Sequence, residues 1–128
     1  MMCVRYRRYL EKSKALLGEA ERDFQAGCYN KTVSAAWFTV ETLLRAIVLY
    51  KGRPMPEQPS KLMSIIHRII LEEYPHVKHL IPMMSSLYEK RKRADHRETL
   101  FNRDHARRAL EQAKHIYSEL ISMLTPHL

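Results

Sequence analysis

The sequence predicts an all-α fold, an up-and-down bundle of about five helices, and three observations carry that expectation. Apolar residues recur at steps of three and four along most of the chain. Only three glycines occur, and the six prolines fall mostly between the periodic segments. A hydrophobic share of 45% is enough for a core without disulfide staples. The length, 128 residues, suits one domain spanning 1–128.

The first helix is expected over about residues 3–26, where Tyr6, Leu10, Ser13, Leu17, Ala20 and Phe24 make one stripe. Gly27 supplies its stop. The second should run from near Asn30 to Gly52. Val33, Ala36, Val40, Leu43, Ile47 and Tyr50 form one stripe, with Trp37, Leu44 and Val48 beside it. A helix this apolar is central and packs on two sides. Its charges, Glu41 and Arg45, are spaced i,i+4 and suit a mutual pair. Trp37, Phe38 and Tyr50 read as packing residues. Pro54, Pro56 and Pro59 forbid helix across the next loop. Ser60 is the expected N-cap of a third helix carrying Leu62, Ile65, Ile66, Ile69 and Ile70, ended by Tyr74-Pro75. A fourth helix should start near Val77, with Pro82 kinking it or marking its first turn, and end around Asp95. After a connection over 96–102, Ala106, Ala109, Ala113, Ile116, Leu120 and Met123 define the last helix, closed by Thr125-Pro126.

Formal net charge is +8 and the pI is about 9.7, which favours an anionic partner: RNA, DNA, a nucleotide or an acidic protein. Cys3 and Cys28 lack metal-site spacing and read as reduced thiols of a cytoplasmic protein. No apolar run follows Arg5, Arg7 and Arg8, so no signal peptide is expected, and Ala46–Tyr50 is too short to span a bilayer. Those arginines, with Lys12 and Lys14, read as a solvated basic face. His76 and His79, at i,i+3, lack a predictable third ligand, so no metal and no cofactor is expected.

The densest chemistry lies in Leu87-Tyr88-Glu89-Lys90-Arg91-Lys92-Arg93-Ala94-Asp95-His96. Four consecutive cations cannot all be buried, so they surround a polyanion site or sit in solvent. Arg91 can hold a phosphate bidentately. A neutral His96 can take the proton of a ribose 2′-hydroxyl, so that this oxygen attacks its own phosphate without a metal. On a continuous helix positions 91 and 96 stand about 140° apart, so convergence requires the helix to end near Ala94 or Asp95. The same pair of residue types recurs at Arg108 and His115, on one face of the last helix, and there reads as surface. Lys90, Lys92, Arg93 and Asp95 are the accompanying binding candidates.

The chain resembles the HEPN superfamily, whose small stand-alone members carry a motif of the form Leu-Tyr-x2-Arg-x2-Ala-Asp-Tyr. Here it reads Leu87-Tyr88, Arg91 and Ala94-Asp95, with His96 in the Tyr place. Asp23-Phe24-x2-Gly27-x-Tyr29, Ser34-Ala35-Ala36-Trp37-Phe38, Glu41-x2-Leu44-Arg45-Ala46 and Tyr50-x-Gly52 fit upstream, and Ala106-x2-Ala109-x3-Ala113 downstream. The resemblance implies a helical bundle, a two-fold dimer, and an Arg-x4–6-His ribonuclease site facing its copy across that dimer. It also implies a minimal nucleotidyltransferase as partner in a toxin–antitoxin pair. Arg91 would be the phosphate-holding cation and His96 the base or orienting group. Two positions depart from the active pattern. Lys92 replaces the Asn, Asp or His that usually follows the Arg. Glu98 replaces the Tyr that partner enzymes adenylylate. The resulting expectation is a toxin-like, RNA-acting or RNA-binding homodimer. Its alternative is a non-catalytic module that binds a nucleotide or a protein partner. A structural dimer with a merely basic surface stands third. No membrane partner is expected.

Overall fold

The computed structural model describes residues 2–96 and 98–124, and only the backbone at residues 2–4 and 96. Five α-helices and one 3-10 turn account for the regular structure of the described residues, with no strand among them. They are α1 (Met2–Gln25), α2 (Tyr29–Tyr50), α3 (Pro59–Glu73), α4 (Leu80–His96) and α5 (Arg103–Leu124), with the 3-10 turn at Pro75–Val77 between α3 and α4. Thr125 and Pro126, expected to close the last helix, lie outside the described residues.

The helix ends follow local chemistry. At the end of α1, Gly27 adopts φ 79°. Its N–H donates to the Phe24 carbonyl at 3.1 Å, and the Cys28 N–H donates to the Asp23 carbonyl at 2.8 Å. That paired pattern is the Schellman closure, and only glycine adopts its left-handed backbone without strain. Gly52, at φ 69°, repeats it after α2: Gly52 N–H bonds Leu49 and Arg53 N–H bonds Val48. At the start of α3 the structure corrects the sequence reading. Gln58, not Ser60, is the N-cap, and Pro59 takes the first helical position. Proline is preorganised there and lacks the N–H that would go unsatisfied, which outweighs a serine side-chain cap. Pro82 falls in the first turn of α4, and the 3-10 turn occupies the stretch where that helix was expected to begin. Asn102 caps α5: its Oδ1 accepts from the His105 N–H at 2.9 Å, and its own N–H faces His105 Nδ1 at 3.4 Å.

α2 is the axis of the bundle, and every other α-helix packs against it. Val33, Ala36, Trp37, Val40, Leu43, Leu44 and Val48 are wholly buried. By length and composition α2 alone among the described helices is apolar enough to cross a membrane, but 78% of its most apolar window is buried by the bundle itself. Trp37 packs on Tyr88 at 5.0 Å between ring centroids and donates Nε1 to Glu41 at 3.1 Å. Small residues let α1 come close. Ser13 and Ala20 are fully buried, and Ser13 Oγ donates to the Thr39 carbonyl at 2.7 Å. Ala106, Ala109 and Ala113 do the same for α5. Glu41 and Arg45 lie 3.6 Å apart, as expected. Arg45 also reaches out of the helix. It donates to the Pro56 carbonyl at 2.7 Å and the Glu57 carbonyl at 3.1 Å, pinning the proline-rich loop to the core.

Among the described residues two buried side-chain nitrogens lack a hydrogen-bond partner, Arg91 Nε and His67 Nε2. His67, on α3, is half-buried. Desolvation pushes its pKa below the ordinary histidine value. The unfolded chain therefore takes up the proton first, and stability falls as pH drops below about 6.5, levelling off beneath the folded-state pKa. Thermal unfolding of His67→Leu should show a smaller loss of Tm between about pH 7.5 and pH 5 than the wild type, by a few degrees at most. Parallel pH profiles would contradict the assignment.

Candidate functional site

The last three turns of α4 carry the charges, and helical geometry distributes them over three faces. Leu87 is fully buried and Tyr88 half-buried, so both anchor the helix on α2. One face turns toward α2. Arg91 Nε lies 2.9 Å from Asp95 Oδ2, one helical turn on, and its guanidinium rests 5.0 Å from the Phe38 ring centroid. That Nε is buried and has no aligned hydrogen bond, so the contact with Asp95 is one of charge rather than of geometry. Asp95 in turn accepts a short hydrogen bond from Ser34 Oγ. Phe38, expected as plain core packing, is only partly buried and supports the guanidinium.

A second face turns toward α5. Lys90 and Arg93 meet His105 and Arg108 around a cleft of about 140 Å³, closed by Thr99 and Phe101. Lys90 Nζ donates to Gln112 Oε1 at 3.2 Å, and the Arg93 guanidinium lies 5.8 Å from the Phe101 ring centroid. Among the described residues neither Lys90 nor Arg93 has a carboxylate partner. Arg108 has one: its Nη2 lies 2.7 Å from Asp104 Oδ2. Burial, joined by repulsion from Arg108 and Arg93, lowers the pKa of Lys90. Four basic or imidazole side chains are thus gathered here against burial and mutual repulsion.

The third face is solvent. Lys92 sits 3.0 Å from Glu89 and over the Tyr88 ring at 4.6 Å. Its ammonium is thus drawn back along the helix toward a carboxylate.

Asn30, at the start of α2, holds this end of the molecule together. Its Nδ2 donates to the carbonyls of Thr99 at 2.9 Å and Ala94 at 3.3 Å, and its Oδ1 accepts from the Phe101 N–H at 2.9 Å. One side chain therefore fixes the end of α4 and the connection to α5. Beside it opens a groove of about 700 Å³ between α1, α2 and the end of α4, lined by Glu19, Arg22, Asp23, Lys31 and Asp95 among others. Its mixed charge contrasts with the cationic cleft.

The backbone of α4 remains helical through His96, so positions 91 and 96 stand about 140° apart around its axis. The His96 side chain lies outside the described residues. Arg91 and Asp95 are brought together, and Lys90 and Arg93 are brought together on another face. The sequence reading missed His105, assigned Arg108 to plain surface, and missed Asn30. A signal existed for the first two: His105, Arg108 and Gln112 step by three and four along the edge of the buried alanine stripe. The basic start of α1 is exposed at Arg5, Arg7, Arg8, Lys12 and Lys14, as expected.

A family model described as HEPN domain matches residues 6–123. No curated protein matches the chain.

The crowding at Lys90 has a measurable consequence. The unfavourable charge is present at every pH below its folded-state pKa and vanishes as pH rises through it. Lys90→Met should therefore raise Tm in low-salt buffer, by a few degrees at most. Added phosphate should stabilise the wild type more than the variant, because an anion in the cleft relieves the repulsion. A variant that melts earlier, or that gains equally from phosphate, would show that the cleft is not an anion site.

Proposed function

Because the chain belongs to the HEPN domain family, with a match spanning residues 6–123, we propose that it is an RNA-binding, toxin-like ribonuclease. Domains of this family serve in RNA cleavage or nucleotide binding. The reading takes residues 1–128 as one helical unit that pairs with a second copy around a two-fold axis. The observation that carries it is the cationic cleft of Lys90, Arg93, His105 and Arg108 beside the α4 terminus. Consecutive phosphates along this face would be held there. Arg91, released from Asp95, would hold the scissile phosphate.

His96 would remove the 2′-hydroxyl proton, and the 2′ oxygen would attack the adjacent phosphorus. The bond to the 5′ oxygen then breaks, and that oxygen takes a proton. The products are a 2′,3′-cyclic phosphate and a free 5′-hydroxyl. Helical backbone through His96 separates it from Arg91 within one chain. A facing copy would therefore complete the pair and supply the acid. Lys92, paired with Glu89, interferes less than its position beside Arg91 suggests. A minimal nucleotidyltransferase partner and a cytoplasmic setting complete the proposal.

A second reading rests on the Arg91–Asp95–Ser34 chain and the stacking on Phe38. These contacts suit a packing role for Arg91, and the mixed-charge groove beside them suits a nucleotide or protein partner. The protein would then bind without cutting.

Purified protein should cleave single-stranded RNA in EDTA, leave DNA whole, and sediment as a dimer. Arg91→Ala should slow cleavage on the order of 10²–10³-fold, as the loss of one transition-state donor does. His96→Ala should abolish cleavage and keep the circular dichroism of the wild type. Binding without cleavage from pH 5 to 9 would reject the nuclease and leave the binding module.

A further inference from the structure

At the opposite end of α4, three side chains from two separate parts of the chain converge. His79 immediately precedes α4, while His115 and Glu119 stand i,i+4 on α5. One ligand atom from each lies within 4.8 Å of the others, and the two imidazole centroids are 5.9 Å apart. We propose that His79, His115 and Glu119 bind one divalent first-row transition ion, with zinc as the reference member of the class.

The chemistry of the donors selects that class. Two imidazoles and a carboxylate suit zinc, cobalt or nickel, whereas magnesium and calcium call for oxygen ligands throughout. Ligand bonds of about 2.0–2.2 Å put neighbouring donor atoms of a tetrahedral site roughly 3.3 Å apart. The three groups must close by about 1–1.5 Å at most, a movement within the reach of ordinary rotamer adjustment. His79 and His115 are exposed and Glu119 is partly so. Among the described residues none of the three side chains is engaged in a hydrogen bond or ion pair elsewhere. His115 and Glu119 are carried on one face of a long helix, which fixes their spacing before the ion arrives.

His76, the i,i+3 neighbour that the sequence paired with His79, belongs to a different contact, 6.3 Å from the Tyr74 ring centroid. The partners of His79 were invisible in sequence because both come from α5. Three protein ligands leave a position open to water or to a fourth donor. Bound metal would clip the start of α4 to the middle of α5, the two helices that also wall the cationic cleft. The site lies about 18 Å along α4 from Arg91, so it is independent of the proposed nuclease chemistry.

Isothermal titration of tag-free protein with zinc chloride alone, with thermal melts of the same samples, tests the site. The wild type should bind one equivalent per chain and melt at a higher temperature with zinc. His79→Ala and His115→Gln should each weaken binding at least about tenfold while leaving the metal-free Tm unchanged. Glu119→Gln should weaken it less than either histidine change. With cobalt, the wild type should develop visible absorption of a low-coordinate nitrogen–oxygen site that His115→Gln lacks. No saturable binding at about tenfold molar excess of zinc would overturn the proposal. So would wild-type affinity in both histidine variants, or one zinc shared between two chains. RNA cleavage in EDTA bears on the α4 terminus alone and decides nothing here.

Discussion

A 22-residue helix as apolar as α2 is stable in water only if it is covered on every side, and the rest of the fold meets that requirement. Each fully buried Leu or Ile on such a helix contributes roughly 1.5–3 kcal/mol relative to exposure, so an uncovered flank would cost several. α1 and α5 approach on small residues, Ser13 and Ala20 on one side and Ala106, Ala109 and Ala113 on the other. α3 and α4 bring the large ones, Leu62, Ile66, Ile69, Leu80, Met84 and Leu87. The polar groups of α2 are spent on positioning. Glu41 satisfies the Trp37 indole, Arg45 holds the proline loop, and Asn30 fixes the end of α4.

That last contact joins the core to the site. α4 is anchored by Leu87 and Tyr88 and tied at its end by Asn30, so its charged turns take defined places against α2 and α5. Arg91 is kept near Asp95, Lys92 near Glu89, and Lys90 and Arg93 are left facing Arg108 and His105 without a carboxylate of their own among the described residues. A run of four cations in sequence thus becomes one arginine paired with Asp95, one lysine paired with Glu89 and half of a cleft.

The helices were legible because their signals are local. Three-four stripes, two left-handed glycines and the proline loop each speak through a few neighbouring residues. Ser60 misled because a capping serine and an N1 proline compete for the same turn, and Pro59 won through its fixed backbone. Family membership was legible because the resemblance ran along nearly the whole chain, as does the family model's match over residues 6–123. Within the site, the cationic run was plain, but its division among three faces was not. The three-four step of His105, Arg108 and Gln112 marks one edge of α5, but that Lys90 faces it, and that His79 meets His115, depends on how the chain around α4 packs on α5, which no periodicity reports. Asn30 looked like an ordinary helix start; its three partners lie more than sixty residues away.

A nucleic acid held by the α4–α5 cleft would have its phosphates among Lys90, Arg93, His105 and Arg108. The salt dependence of binding to a short single-stranded RNA tests it most directly. Log K should fall linearly with log salt, with a slope of about −0.7 per phosphate contacted. Arg93→Gln and Arg108→Gln should each flatten that slope by about one contact. Undetectable binding at low salt, or a slope that neither substitution changes, would contradict it.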